Sequence, residues 1–193
     1  MSHPIKLLHL WLEEEHHAGA PNPQQAVLCT TDRQSSPQGR VVAIREITDQ
    51  SLLFFTQKPT KKVIALSENP FACIVFWFEL FQREVILKGP IEALSVEENQ
   101  NYWQTYSPSA QIRFHSYAPT SGQPIASKAL LEEKRRKLAQ QYGETTIPMS
   151  PFYCGFRLIF NHFVFYTYRT DELSDVISYQ KLHNTWQKVF LSP

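Results

Sequence analysis

Between Gly39 and Lys62 the chain reads GRVVAIREITDQSLLFFTQKPTKK, with Arg40 at the head of one apolar run and Thr60, Lys61 and Lys62 just past the end of the next. These are the residue types a phosphomonoester needs: convergent cations, hydroxyl donors, and the unpaired N–H groups and positive dipole end of a helix. Lys61 opens a stretch with helical spacing, whose apolar residues are Val63, Ile64 and Leu66. Two lysines in a first helical turn oppose the dipole unless something anionic binds there. A solvated lysine pair satisfies the same charge count, since exposed lysines are common. If the run from Arg40 pairs with the run ending at Thr56 through the EITDQS connection, Arg40 and the Thr60 to Lys62 turn meet at one end of a hairpin as an anion pocket.

Placing such groups takes strands. AVLCTT, RVVAIREI, SLLFFT, FACIVFWF and EVILKGPIEAL are short β-branched or aromatic runs bounded by Gly, Pro, Asp and Gln, and YCGFRLIF, HFVFYTY and TWQKVFL follow late in the chain, eight strands in all. Pro4 to Ala18 reads as an amphipathic helix with Ile5, Leu8 and Leu12 on one face, and Lys61 to Glu68 is a short helix stopped by SENP. Ser95 with Glu98 forms a capping box for a helix reaching Tyr106, and Ser107-Pro108 opens another. Ser127 to Gly143 is the clearest helix, with Leu131, Leu138 and Tyr142 in one stripe and Glu132/Arg136 and Glu133/Lys137 spaced as i,i+4 pairs. Helices that gather before, between and after the strands, rather than alternating with them, predict an α+β barrel of mostly antiparallel strands in a single domain, residues 1–193. No G-x-G-x-x-G or Walker-type glycine loop interrupts the pattern, which argues against a dinucleotide fold.

Composition narrows the partners. Lys and Arg total 19 against 18 for Asp and Glu, so no global field draws nucleic acid or an anionic membrane, and an anion site has to be local. Cys29, Cys73 and Cys154 sit singly inside apolar runs and read as buried thiols of a reducing compartment. Neither they nor the His16-His17 pair has metal-ligand spacing, so no metal is expected. The opening MSHPIKLLHLWLEEEHH has too short an apolar stretch for a membrane span, and its acidic triplet fits neither a signal nor a transit peptide, so the expected location is the cytoplasm.

Several segments, in order and spacing, resemble the pyridoxamine 5'-phosphate oxidase family. RVVAIR is similar to that family's Arg-x-Val-Leu-Leu-Lys strand, FFTQKPTKK to its Phe-Tyr-Thr-Asn and Ser-Arg-Lys segment, and NPFACIVFWFELFQREV to its Asn-Pro to Arg-Gln-Val strand. YWQTYSPSAQI, PFYCGFRL and the closing YQ and Trp fall in register too, so the resemblance spans nearly the whole chain. It implies an FMN-binding split β-barrel and a homodimer whose subunit interface holds the cofactor. It further implies phosphate contacts from Arg40, Lys61 and Lys62 with help from Thr60, backbone contacts from Val41, Val42 and Ala43, and a lining of Phe55 and Thr56. Tyr166 takes the place of a ring-contacting Trp, Glu84 that of a Gln beside the flavin ring, and Thr120 and Ser121 stand nearest the family's Gln-Ser pair.

The implied activity is hydride transfer to flavin N5 from a carbon bearing an amine or hydroxyl, with reoxidation by oxygen, the substrate being a phosphorylated vitamin B6 vitamer. On the substrate side Arg45 and Tyr102 match the family's Lys and Tyr, but Tyr106 and Ala110 replace its Arg and Ser. The family's C-terminal Arg-Leu-His-Asp-Arg motif aligns with ELSDV, so that Glu172, Ser174 and Val176 replace Arg, His and Arg, with Arg169 just ahead. Losing charge-assisted contacts of this kind costs about 2 to 5 kcal/mol each. The alternatives are a flavin-dependent oxidase or reductase for a different substrate, and a non-catalytic flavin-binding dimer.

Overall fold

The structure, a computed structural model, describes residues 3–193. Its elements are α1 (Pro4–His17), β1 (Gln25–Thr31), β2 (Pro37–Ile47), β3 (Ser51–Gln57), α2 (Lys61–Glu68), β4 (Phe71–Phe78), β5 (Arg83–Ala93), α3 (Val96–Gln104), α4 (Pro108–Tyr117), α5 (Lys128–Tyr142), β6 (Tyr153–Ile159), β7 (His162–Thr167), β8 (Asp175–Leu182) and β9 (Thr185–Leu191). The strands run in the order β4-β1-β2-β3-β6-β5-β7-β8-β9, and a further pairing of β4 with β5 closes the first six into a barrel. This is the split barrel expected from the sequence. Among the described residues no helix is long and apolar enough to cross a membrane.

Period-two alternation builds the barrel wall. In β4, Ala72, Ile74, Phe76 and Phe78 are buried while Phe71 and Trp77 are exposed, and Leu28, Val85, Leu87, Phe163 and Phe165 complete the core from neighbouring strands. Each fully buried aromatic of this kind contributes about 2 to 3 kcal/mol of transfer free energy. β5 occupies the pivotal place: along its length it pairs with β4, from Phe78↔Arg83 to Phe71↔Pro90, and its other edge is taken over Arg83–Lys88 by β7. Asn161 N then donates to Lys88 O at 3.2 Å, where the chain leaves β6 for β7.

Cα packing divides the chain into two units. The first comprises the chain up to Phe54, Ala65–Glu92 and Arg157–Pro193. In it α1 starts with Pro4 in its first turn and buries Ile5, Leu8, Trp11 and Leu12, the Trp11 ring meeting Phe165 edge-on at 5.2 Å. The second unit comprises Phe55–Ile64 and Ala93–Phe156. There the expected capping box is present: the Ser95 hydroxyl accepts from Glu98 N at 3.1 Å, and the Glu98 carboxylate accepts from Ser95 N at 2.8 Å. Ser107 caps α4, and Gly143 ends α5 at φ 57°.

Three expectations need correcting. Among the described residues there are nine strands, not eight, because Asp175–Leu182 is a strand joined to β9 by a two-residue turn, His183 and Asn184, both at positive φ. That is the backbone of a tight hairpin turn, here made without glycine. Only Cys154 is buried; Cys29 and Cys73 are partly exposed, because alternation turns them away from the core positions Leu28 and Ile74. In α5, Glu132 pairs with Arg135 at 2.8 Å and Lys128 at 3.8 Å rather than with Arg136, which pairs with Glu133; the Glu133–Lys137 pair is present at 3.6 Å.

Gly89 marks the point where β5 and the end of β6 come closest. A Cβ placed there would overlap the Ile159 carbonyl, a backbone group that cannot rotate away. Gly89→Ala is therefore expected to destabilise the fold by about 3 kcal/mol or more, read as a lowered urea midpoint; an unchanged midpoint would show that the strand crossing is not tight.

Candidate functional site

In the second unit, the polar groups expected to bind an anion cluster where β3 runs into α2. Thr60 is buried, its hydroxyl donating to Gln57 O at 2.9 Å and its carbonyl accepting from Ile64 N at 3.0 Å. Lys62 Nζ donates to Thr56 Oγ1 at 3.1 Å, so cation and hydroxyl are held together across the turn, while Lys61 is exposed beside them. No acidic side chain occupies the first turn of α2. Two ammonium groups, two hydroxyls and the first-turn amides of a helix make a donor set suited to a phosphate dianion. Gln57, which the sequence did not single out, is buried below this turn; its amide nitrogen donates to Phe114 O at 3.3 Å, and Oε1 has no hydrogen-bond partner among the described residues.

Beside the turn lies an aromatic nest. Phe55 stacks on Tyr153 at 5.0 Å and 8°, with Tyr102 at 5.1 Å and Tyr106 at 6.3 Å. Gly155 makes room for the Phe55 ring, since a Cβ there would sit 2.5 Å from Phe55 Cε1. Tyr153 was missed in the sequence because nothing in its spacing separates it from other core aromatics. The nest rests on a buried polar frame: Asn99 Oδ1 accepts from Gly155 N at 2.7 Å, Asn99 Nδ2 donates to Leu94 O and Ser95 O, and Gln111 bridges Trp103 O and Ile147 N, both at 2.9 Å. Thr120 and Ser121, half-buried, lie on the loop after α4, where Thr120 Oγ1 donates to Tyr117 O at 3.0 Å. Burial raises the Tyr117 phenol pKa, with Arg113 working against it.

The first unit holds the remaining candidates. Arg40 lies opposite Leu28 and donates to Leu28 O at 3.2 Å, Thr30 Oγ1 at 2.7 Å and Gln38 Oε1 at 3.1 Å. Partial burial lowers the guanidinium pKa, offset by the neighbouring Cys29. Along β2, Val42 is buried and Val41 (63% exposed) and Ala43 face outward, while Arg45 sits in the bulge between Ile44 and Glu46. Glu84 and Tyr166, chosen separately from the sequence, are directly opposed on β5 and β7 and so share a face, with Trp77 opposite Glu84 on β4 and Val176 opposite Tyr166 on β8. A cavity of about 560 Å³ lies in this unit between α1 and the β1–β2 edge, lined by His9, Glu13, His16, Gln24, Ala43 and Ile44 among others. Among the described residues no three His, Cys, Asp or Glu side chains are grouped to hold a metal.

Arg169, just ahead of the altered C-terminal motif, is engaged locally. Its guanidinium meets Asp175 at 2.9 Å and Glu172 at 3.0 Å, and these carboxylates raise its pKa further.

Comparison with known proteins bears on family and fold. Residues 12–142 match the family model described as pyridoxamine 5'-phosphate oxidase, and residues 153–193 match that of the pyridoxine 5'-phosphate oxidase C-terminal dimerisation region. The pyridoxine/pyridoxamine 5'-phosphate oxidase of Alteromonas mediterranea is 31% identical over 194 residues, covering 100% of this chain and 90% of the relative. That of Acinetobacter baylyi is also 31% identical, over 193 residues, covering 100% and 88%. Among solved structures, PhzG from Burkholderia lata in complex with tetrahydrophenazine-1-carboxylic acid superposes with a TM-score of 0.90 at 22% identity, covering 100% of this chain and 94% of that one. A pyridoxamine 5'-phosphate oxidase-related, FMN-binding protein from Nostoc punctiforme gives 0.80 at 16% identity, covering 100% and 99%. These two likenesses establish the shared fold.

The polar frame under the aromatic nest is open to test. Asn99→Ala strands the buried Gly155 N–H, and a cost of about 2 to 4 kcal/mol is expected, measured as a lower urea midpoint at unchanged m-value.

Proposed function

The chain belongs to the pyridoxamine 5'-phosphate oxidase family, and on that premise we propose that it works as an FMN-dependent oxidoreductase in a homodimer. The observation that carries the cofactor reading is the donor set at the start of α2, where Lys62 is held against Thr56 and Lys61 projects alongside with no carboxylate in the turn. FMN, when bound, supplies the hydride acceptor and passes the electrons to oxygen. The chain's own residues bind and orient. On the family resemblance, Lys61, Lys62, Thr60 and Arg40 are the residues assigned to the phosphate, Val41, Val42 and Ala43 to backbone contacts, and Phe55, Thr56, Glu84, Thr120, Ser121 and Tyr166 to the rest of the cofactor. An ionised Glu84 accepts hydrogen bonds but cannot donate, unlike the amide relatives carry. Pairing of two copies is supported by the match to a dimerisation region and by β9, whose Val189, Phe190 and Leu191 are exposed apolar residues.

Arg45 and Tyr102 bind the substrate, a phosphorylated vitamin B6 vitamer in the first reading. A second reading, a flavin-dependent oxidase or reductase acting on a substrate without a phosphate, is favoured by one observation: Arg169 is already neutralised by Glu172 and Asp175. The PhzG structure, bound to a tetrahydrophenazine carboxylic acid, is a precedent for different chemistry on this fold.

The purified protein is expected to be yellow, to release FMN on denaturation, and to elute as a dimer. Lys62→Ala should raise the Kd for FMN about 10- to 100-fold through loss of one charge-assisted contact, followed by flavin fluorescence quenching. A colourless protein with no measurable FMN affinity overturns the reading. Anaerobic addition of pyridoxamine 5'-phosphate separates the two substrate readings: rapid bleaching of the flavin supports the first, and bleaching only by unphosphorylated amines supports the second.

A further inference from the structure

Cys29 and Cys73 play no part in the proposed chemistry, yet the barrel sets them face to face. β1 pairs with β4 in the register Val27↔Val75, Leu28↔Ile74 and Cys29↔Cys73, so the two cysteines are direct cross-strand partners on the outward side of the wall. Both are free and partly exposed, and Cys29 lies close enough to help raise the pKa of the Cys73 thiol. Directly opposed residues of an antiparallel pair have Cα atoms about 4.5 to 5.5 Å apart, inside the window of about 4.4 to 6.8 Å that a disulfide spans. The register thus places the two residues within the reach of a disulfide. Cys154, buried on β6, has no such partner among the described residues.

We propose that Cys29 and Cys73 form a reversible redox site, oxidised by hydrogen peroxide to an intramolecular disulfide that staples β1 to β4. Cys29 attacks first. The Cys29 sulfur displaces water from one molecule of peroxide, giving a sulfenic acid and one water; the Cys73 thiol then attacks that sulfur, losing its proton and expelling the hydroxyl as a second water. Two thiols are thus oxidised by two electrons and one peroxide is reduced to two waters. Assignment of the first attack rests on surroundings. Arg40 donates to Leu28 O and Thr30 Oγ1, the residues on either side of Cys29, and so places a cation near that sulfur. Cys73, by contrast, is pushed up to about 11 by burial and by Cys29 itself, which suits the partner that keeps its proton until the second step.

The staple would fix the stretch of β1 on which the Arg40 guanidinium rests, so oxidation should also alter Arg40-dependent anion binding. That consequence rests on the proposed cofactor site, whereas formation of the disulfide does not.

The test uses the full-length protein, reduced, freed of reductant and exposed to a few equivalents of hydrogen peroxide. Peptide mapping without reduction should recover the Cys29 and Cys73 peptides linked, with a loss of two hydrogens relative to the separate peptides, and dithiothreitol should reverse it. The oxidised protein should melt about 5 to 10 °C higher than the reduced form. Cys29→Ser and Cys73→Ser, checked for folding in their reduced forms, should each abolish the linkage and the shift, while Cys154→Ser should keep both. Recovery of Cys29 and Cys73 as separate free or sulfinic peptides overturns the proposal, as does a cross-link between two copies on a non-reducing gel. The mass readout needs no flavin, so its failure is distinguishable from failure of the cofactor reading.

Discussion

The barrel depends on β5 serving more than one neighbour. One edge pairs with β4 and closes the ring; the other is given over Arg83–Lys88 to β7, which carries β8 and β9 outward from the wall. The change happens at Lys88 and Gly89, where Asn161 N reaches Lys88 O and only a hydrogen fits between Gly89 and the Ile159 carbonyl. Because register is fixed there, Glu84, five residues before Gly89, is set between Trp77 and Tyr166 rather than pointing into the core. A one-residue slip would bury that carboxylate and expose Val85. The packing of the wall thus determines which polar groups the outer face can present.

At the start of α2 the governing term is electrostatic. Lysines near a helix N-terminus are disfavoured by about 0.3 to 1 kcal/mol each when exposed, and the bond from Lys62 to Thr56 returns an amount of the same order. The arrangement is therefore close to neutral without a ligand and strongly favourable with an anion. Arg40 is held differently: three acceptors on its own hairpin fix the guanidinium before any ligand arrives. A cation already oriented loses less entropy on binding than a solvated one.

Period-two burial made FACIVFWF legible as β4 residue for residue, whereas TWQKVFL, exposed along nearly all of its length, matches β9 through its β-branched and aromatic composition alone. β8 escaped because Ser178 occupies a buried position in it. That hydroxyl is satisfied by His162 Nε2 at 2.9 Å, a contact no local pattern reveals, and the following turn uses His183 and Asn184 instead of glycine. The outward placement of Cys29 and Cys73 was available from the same alternation that puts Leu28 and Ile74 in the core; their apolar neighbours obscured it. In the candidate site, the placement of Lys61 and Lys62 at a helix start was legible in the sequence, whereas the Lys62–Thr56 bond and the Glu84–Tyr166 pairing emerged only from the structure. Gln57 and Tyr153 carry no spacing signal at all, since their importance comes from residues far along the chain, Phe114 and Phe55.

Membership of a family constrains the chemistry more tightly than the substrate. The segment Arg169 to Asp175 holds one cation and three carboxylates, Asp171, Glu172 and Asp175, a net charge of −2. A phosphate approaching it meets repulsion, and Arg169 can turn toward such a ligand only by giving up its two ion pairs. Both pairs are solvent-exposed, so each is worth little alone, but together they shape the turn, which Ser174 Oγ also ties to Arg169 N at 3.2 Å. In the second unit, Tyr106 sets a ring against Phe55 at 6.3 Å. Donors suited to an anion thus gather at the start of α2, whereas the Arg169 turn carries net negative charge. If the start of α2 holds a cofactor phosphate as proposed, this contrast in charge suits a substrate without a phosphate better than one that carries it.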